Sequence, residues 1–166
     1  MTLEILKRDI FGEVEKRSAL EGLQLPERFE GIWASEDDRR FLDSYWTEGC
    51  SAVAELLKRY LKGVAIAHSL DEGVQDEVLR VNAVMPSRYN FAFDEVIATE
   101  LKMMMACSIL YRWLNVVLPE KAVKYDEESK GYMESVRDKL LYRDEPRWQK
   151  PVEKGVCDNV FMPRRG

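Results

Sequence analysis

The chain opens with a segment in which apolar residues recur at helical spacing. From about Thr2 to Leu20, leucine, isoleucine and valine fall near one face, with charged residues between them, and Gly22 supplies a stop. The following stretch, Leu23–Ala34, has no clear period and contains Pro26 and Gly31. We therefore predict a first helix followed by an ordered loop, because the large apolar side chains of that loop favour burial.

A second helix is predicted from the clearest periodicity in the chain. Ser35 and Asp38 approximate a capping box, and acidic side chains crowd the positive end of the helix dipole. Apolar residues then recur three and four positions apart: Phe41, Leu42, Tyr45, Trp46, Val53, Leu56, Leu57, Tyr60 and Leu61. We predict that this helix closes at Lys62 and Gly63, a cation followed by a glycine.

The third helix is predicted to form the centre of the fold. It covers about 93–118, with Asn90 or Asp94 as its cap, and its segment Met103–Tyr111 carries no charge. Apolar side chains surround nearly the whole helix, which is typical of a helix buried on all sides. A fourth helix is predicted over about Glu120–Tyr142, after a proline that is tolerated in a first turn.

Between the second and third helices the period changes. Over about 64–86, apolar residues alternate with smaller or polar ones on both sides of a turn at 71–73, and Pro86 ends the segment. This pattern predicts a β-hairpin. A single helical turn over Glu77–Val81 is the alternative interpretation of its second half.

The C-terminal segment is irregular and yet apolar. Prolines and a glycine break any period after Arg143, so no helix or strand is predicted there. Its apolar residues need a packing partner, either the same domain or a neighbouring subunit: they are Trp148, Val152, Val156, Val160, Phe161 and Met162. We therefore predict a mostly α domain over 1–145, a four-helix orthogonal or bundle-like arrangement around the central helix, and an extended tail over 146–166.

Composition narrows the range of partners. A chain of 166 residues with 46% hydrophobic and 33% charged residues is typical of one globular domain with a sizeable core. Its net charge of −5 disfavours nucleic acid, because no excess of cations is available to replace the counterions of phosphates. The first residues lack the apolar core of a signal peptide, and no uncharged run approaches the roughly 20 residues of a membrane span. Cys50 and Cys107 fit small buried hydrophobes, so we expect a cytoplasmic protein without a membrane partner.

No catalytic, cofactor-binding or metal-binding constellation is recognisable. His68 is the single histidine, which excludes metal motifs built on paired histidines. The chain lacks a G-x-S-x-G elbow, glycine-rich phosphate loops and a Glu-x-x-His spacing. We therefore predict a non-enzymatic protein with no cofactor. An enzyme that combines carboxylates with a histidine would need His68 within reach of a carboxylate in a cleft.

Two groups of residues are candidates for binding. Met103–Met105 would suit a groove for an apolar ligand, since methionine re-packs readily, but burial in the core is the expectation inside such an apolar helix. The second group lies at the end of the last helix and in the tail, where tryptophan and tyrosine are typical of interface hot spots. These interface candidates are Tyr142, Arg143, Arg147, Trp148 and Phe161.

The order of elements over roughly Glu36–Arg143 resembles a class of phage proteins. A capped helix, a β-like segment, an apolar helix ending Leu110-Tyr-Arg-Trp-Leu and a last helix ending Leu140-Leu-Tyr-Arg are similar to small virion-assembly proteins of Bacteroidetes prophages and to phage head–tail connector (head-completion) proteins. The resemblance implies a structural protein, in the host cytoplasm or the virion, whose subunits form a ring on a portal-like protein. Such a ring needs two different adhesive faces on each subunit. The alternative is a helical protein-interaction or small apolar ligand-binding module.

Overall fold

The structure is a computed structural model that describes residues 1–71 and 74–144. Its main elements are β1 (Thr2–Leu6), α1 (Lys7–Leu23), α2 (Phe29–Ile32), α3 (Arg39–Leu57), β2 (Leu61–Asp71), β3 (Val74–Ala83), α4 (Asp94–Val117) and α5 (Pro119–Leu141). Short 3₁₀ turns precede α2, α3 and α4 at Pro26–Arg28, Glu36–Asp38 and Phe91–Phe93. The described chain is therefore mostly helical with one small sheet, and this confirms the predicted fold class.

Helix α4 lies at the centre of the core, as its sequence predicts. It packs most extensively against α5, to which Leu118 joins it, and then against α1 and α3. Met104 and Met105 are buried, which confirms the core interpretation for these two methionines. The buried side chains of α4 are Ile97, Leu101, Met104, Met105, Ala106, Cys107, Ile109, Leu110 and Leu114. Asn90 caps the turn before α4, since its side chain accepts a hydrogen bond from the backbone N–H of Ala92.

The start of α3 follows the predicted capping, but its end does not. The backbone N–H and the hydroxyl of Ser35 each donate to Asp38 Oδ2 over 3.0 Å, which confirms the capping box. The helix ends at Leu57 instead of Lys62–Gly63. The prediction failed there because Leu61 fits an alternating pattern as well as a helical one, and its pairing with Ala83 starts a strand. Phe41 was placed on the apolar face and is instead 65% exposed.

The first predicted helix begins five residues too early. Thr2–Leu6 is a strand, and α1 covers Lys7–Leu23. The alternation of this strand buries Leu3 and Ile5 against the core, with period 2 rather than 3.6. Its main chain pairs with that of β3, and these hydrogen bonds between strands would be absent if the segment were a helical turn. Leu20, which the same prediction placed on the apolar face, is 58% exposed.

The predicted hairpin is confirmed and is part of a larger sheet. β2 and β3 pair antiparallel, and β1 pairs with the other side of β3, so the strand order is β1-β3-β2. Because Glu77–Val81 lies inside β3, the alternative of a helical turn is wrong. The turn of the hairpin includes residues 72–73, which lie outside the described residues.

The segment predicted as a loop, Leu23–Ala34, holds a 3₁₀ turn and the short helix α2. Ile32 and Ala34 are buried, and the indole N–H of Trp113 donates to the Ile32 carbonyl over 2.7 Å. The expected burial of the large apolar side chains is wrong for Leu23, which is 65% exposed. The segment is therefore held by both α1 and α4, since the Ala34 backbone N–H also donates to the Ser18 hydroxyl of α1 over 2.9 Å.

The buried side chains of the described residues form one hydrophobic cluster that draws on all the long helices and on the sheet. Among these residues, no helix combines the length and the apolar character that a membrane crossing requires. The predicted tail over 146–166 lies outside the described part of the chain.

Candidate functional site

The interface candidates at the end of α5 occupy two different environments. Tyr142 is half exposed, and its ring meets Phe93 edge-on with the ring centres 5.4 Å apart. Arg143 donates from Nη1 to the carbonyls of Leu140 and Tyr142, so it neutralises the carbonyl end of the helix. The other three candidates, Arg147, Trp148 and Phe161, lie outside the described residues.

The point at which the chain leaves the described body is well anchored. The Asp144 backbone N–H donates to the Arg88 carbonyl over 2.9 Å, and Asn90 Nδ2 donates to Asp144 Oδ1 over 3.2 Å. One turn earlier, the hydroxyl of Tyr60 donates to the Leu140 carbonyl over 3.4 Å. Since Tyr60 directly precedes β2, these bonds place the exit of the chain beside the beginning of that strand.

Strand β2 carries an apolar surface that the helices do not cover. Val64 pairs with Val81 and Ile66 pairs with Leu79, and directly opposed residues of antiparallel strands share one face of the sheet. Val81 and Leu79 are fully buried, whereas Val64 and Ile66 are 44% and 46% exposed. The helices therefore cover β2 less completely than β3.

The outer edge of β2 is also unoccupied. Among the described residues, β2 pairs with β3 on one side and with no strand on the other. An edge of eleven residues exposes a row of main-chain donors and acceptors, a feature that natural proteins often block with charges or bulges. Here the bulge between Leu61 and Gly63 and the charge of Lys62 lie at the beginning of the strand. We call the free edge together with Val64 and Ile66 the β2 surface.

A charged cleft lies where the hairpin meets the beginnings of α1 and α3. It encloses about 610 Å³. Lys7 Nζ bridges Asp43 and Glu77 over 2.7 and 3.2 Å, and the Arg8 side chain reaches Asp76 over 3.8 Å. These ion pairs tie three elements together, and they engage three of the carboxylates that line the cleft.

The single histidine lies in this cleft. His68 lines it, and the register of the hairpin sets His68 opposite Glu77. The location required for an enzyme based on this histidine is thus present, while the nearby Glu77 carboxylate is already paired with Lys7. In the described part of the chain, no group of three or more histidine, cysteine or acidic side chains is arranged to hold a metal ion.

The two described cysteines have no environment that would activate them. Burial raises the pKa of the Cys50 thiol to about 12, and the nearby Glu77 carboxylate acts in the same direction. Burial likewise raises the pKa of the Cys107 thiol to about 12, against the opposing charge of Arg17. Both thiols are therefore protonated at neutral pH and behave as the predicted buried hydrophobes.

Sequence reasoning missed a polar seam that joins α1 to α5. Arg17 bridges Glu13 over 2.7 Å and Glu128 over 3.0 Å. Further along α1, the hydroxyl of Tyr125 donates to the buried carboxylate of Glu21 over 2.8 Å. Both contacts with α5 join residues more than a hundred positions apart, so no local pattern signals them. The seam fixes the packing of two helices and gives no open cavity for a substrate.

A second apolar concavity lies between α3 and α5. This α3–α5 groove encloses about 470 Å³, and its apolar lining consists of Ala52, Leu56, Tyr60, Met133, Leu140 and Leu141. Arg59 and Arg137 stand at its rim, and neither has an ion-pair partner among the described residues. The groove therefore suits an apolar segment or ligand that carries negative charge.

Comparison with protein-family models, with curated proteins and with solved structures gives no match for this chain. The interpretation of its surfaces therefore rests on their geometry.

Proposed function

We propose that this chain is a non-enzymatic assembly protein that joins its partners by adding a strand to the β2 surface. The partners are further copies of the same chain in a ring, a portal-like protein, or both. In this proposal the chain acts as a head–tail connector-like component of a phage or prophage, in the host cytoplasm or the virion. The observation that carries the proposal is the exposure of Val64 and Ile66 beside an unpaired strand edge.

Strand addition would satisfy both features of the β2 surface at once. The main chain of the incoming strand pairs with the free edge and supplies affinity, while side chains against Val64 and Ile66 supply selectivity. The same contact removes half-exposed apolar surface from water, which favours association. An exposed strand edge is a template for pairing with another chain, as an assembling subunit would use it.

A ring also requires a second, different face on each subunit. The end of α5 supports this requirement, because Tyr142 is half exposed there. A subunit that presents the β2 surface and this end of α5 has the two unlike faces that head-to-tail closure needs.

The oligomeric state of two matched variants tests this proposal. Ile66→Glu places a charge on the β2 surface, and Phe41→Glu places the same charge on an exposed apolar side chain of α3. Sedimentation velocity of the full chain should show oligomers for the wild type and for Phe41→Glu, and monomers for Ile66→Glu. Circular dichroism should show all three folded. A wild-type chain that stays monomeric at every concentration would contradict self-assembly.

The phage context has a separate test in the neighbouring genes. Portal, capsid or tail genes beside the gene for this chain are the expected result. A neighbourhood of metabolic genes would contradict the connector role, although it would leave the β2 surface to be judged by the variants above.

The alternative function is a helical interaction or small apolar ligand-binding module, and the α3–α5 groove is the observation that favours it. Ala52→Trp would fill this groove without touching the sheet. Under the alternative, a fluorescent fatty acid binds the wild type and not Ala52→Trp. Under the assembly proposal, the acid does not bind and Ala52→Trp still assembles.

A further inference from the structure

We propose that the strand added to the β2 surface is the segment Val156–Met162 of a neighbouring copy of this chain. This inference rests on the proposed function, because it names the partner at the same surface. It follows from the pattern of the segment, the length of chain that carries it, the charge of the tail and the symmetry of a ring.

No strand is predicted for the tail on its own, but Val156–Met162 contains four of its six large apolar residues and would be extended by pairing with a strand edge. The segment reads Val-Cys-Asp-Asn-Val-Phe-Met, contains two β-branched residues and one aromatic residue, and stands between Gly155 and Pro163. In an extended strand, Val156, Val160 and Met162 would share one face with Asp158. That face supplies the apolar cover that Val64 and Ile66 lack.

The linker is long enough for an adjacent subunit. Eleven residues, 145–155, separate the anchored Asp144 from the segment. At about 3.3 Å per residue they span at most about 36 Å, while a small domain is about 30 Å across. The segment therefore reaches the β2 surface of a neighbour that packs against the exit of α5.

The charges of the tail and the body are complementary. Residues 145–166 carry five cations and three anions, so the total charge of −5 divides into +2 for the tail and −7 for residues 1–144. A basic tail is attracted to the acidic body of any copy it meets. This attraction acts between copies of the chain and does not require a different protein as partner.

The symmetry of the contact distinguishes between two possible donors of the added strand, the tail segment and the β2 strand of a second copy. Pairing of β2 with the β2 of a second copy would be isologous and would close as a dimer. A tail segment on a neighbour's β2 is a heterologous contact, since donor and acceptor surfaces differ, and repeated contacts of this kind close as rings. A connector-like ring therefore favours the tail as donor.

Disulfide trapping in the full chain tests the pairing directly. Cys157 is on the opposite face of the segment from Val156 and Val160, so it should lie beside Ala65 or Ala67, which alternate with Val64 and Ile66 along β2. Ala65→Cys and Ala67→Cys are the two test variants, and Val123→Cys on exposed α5 is the control. Native Cys50 and Cys107 are buried and do not compete.

Mild oxidation should give a ladder of covalent oligomers on a non-reducing gel for at least one test variant. The ladder should disappear when Cys157→Ser is added, and the control should give none. A disulfide that forms only within one chain, or none at either position, overturns the inference.

A pair of tail variants separates this inference from the proposed function. Val160→Glu places a charge on the face predicted to cover Ile66, and Asn159→Glu places it on the other face. We expect Val160→Glu to shift the oligomers to monomers and Asn159→Glu to leave them unchanged. If both variants assemble while Ile66→Glu does not, the β2 surface is the interface and the tail is not its occupant. If Ile66→Glu assembles as well, the β2 surface is not the interface, and the proposed function itself is contradicted.

Discussion

Helix α4 and strand β2 differ in how completely the chain itself supplies their backbone hydrogen-bond partners and buries their apolar side chains. Helix α4 pairs its backbone internally, and its neighbours bury its apolar side chains on nearly every side. Strand β2 pairs on one side, and Val64 and Ile66 stay half exposed. The first region specifies the fold within one chain, and under the proposed function the second is completed by a strand from another chain. Substitutions in the two regions should therefore change different properties.

The largest effect is expected in the core around α4. Leu110→Ala removes a side chain with no exposed surface and should lower the free energy of unfolding by about 3 kcal/mol, because it leaves a cavity. Ile66→Ala truncates a side chain that is already 46% exposed and should cost less than about 1 kcal/mol. Urea unfolding of both variants at low protein concentration measures the difference. Equal losses would contradict the distinction between the two regions.

A smaller loss is expected from the seam between α1 and α5. Tyr125→Phe removes the hydroxyl that donates to buried Glu21, and an acceptor left without its donor should cost roughly 1–3 kcal/mol. Tyr132→Phe is the matched control, since its hydroxyl has no hydrogen bond within the described residues. Thermal unfolding should show a clear decrease for Tyr125→Phe alone. A decrease of the same size in both variants would mean that the seam does not stabilise the packing.

The core should also lose stability at high pH. Because burial raises the pKa of Cys50 and Cys107 from the ordinary 9.0 to about 12, the folded chain holds these protons more tightly than the unfolded chain. Their contribution is complete below about pH 9 and is lost as the pH rises through about 12. Urea midpoints at pH 8 and pH 10.5 should therefore decrease less in the Cys107→Ala variant than in the wild type. An identical decrease in both proteins would mean that groups other than Cys107 cause the loss of stability at high pH.

The smallest effect is expected in the charged cleft. Lys7→Met breaks the ion pairs with Asp43 and Glu77, two carboxylates that are partly exposed. We expect a loss of at most about 1 kcal/mol that becomes smaller in concentrated salt, because such pairs are screened. Denaturation in low and high salt checks it. A loss that does not depend on salt would point to packing of the lysine stem instead of charge.

The sequence predicted best those elements that local signals define. The capping box at Ser35 and the apolar circumference of α4 act within a few residues, so both could be seen in advance. The strand Thr2–Leu6 was missed because Leu3 and Leu6 fit a helical spacing as well as an alternating one, and only pairing with β3 decides between them.

The candidate site could be predicted only in part. Alternation in the sequence predicted the hairpin, whereas the interface predicted at the end of α5 from its aromatic and arginine residues stays a prediction. The exposure of Ile66 could not be predicted, because Ile66 and buried Leu79 follow the same pattern. They differ because the helices pack more extensively on β3 than on β2, which is a property of the tertiary structure.

Hydrogen exchange at different protein concentrations tests the central claim most directly. If the β2 surface accepts a strand from another copy, the outward amides of β2 should exchange quickly in dilute protein and slowly in concentrated protein. The amides of α4 should exchange slowly and equally in both, since its helix is complete within one chain. Exchange in β2 that does not change with concentration would contradict the claim that this edge is where the chain assembles.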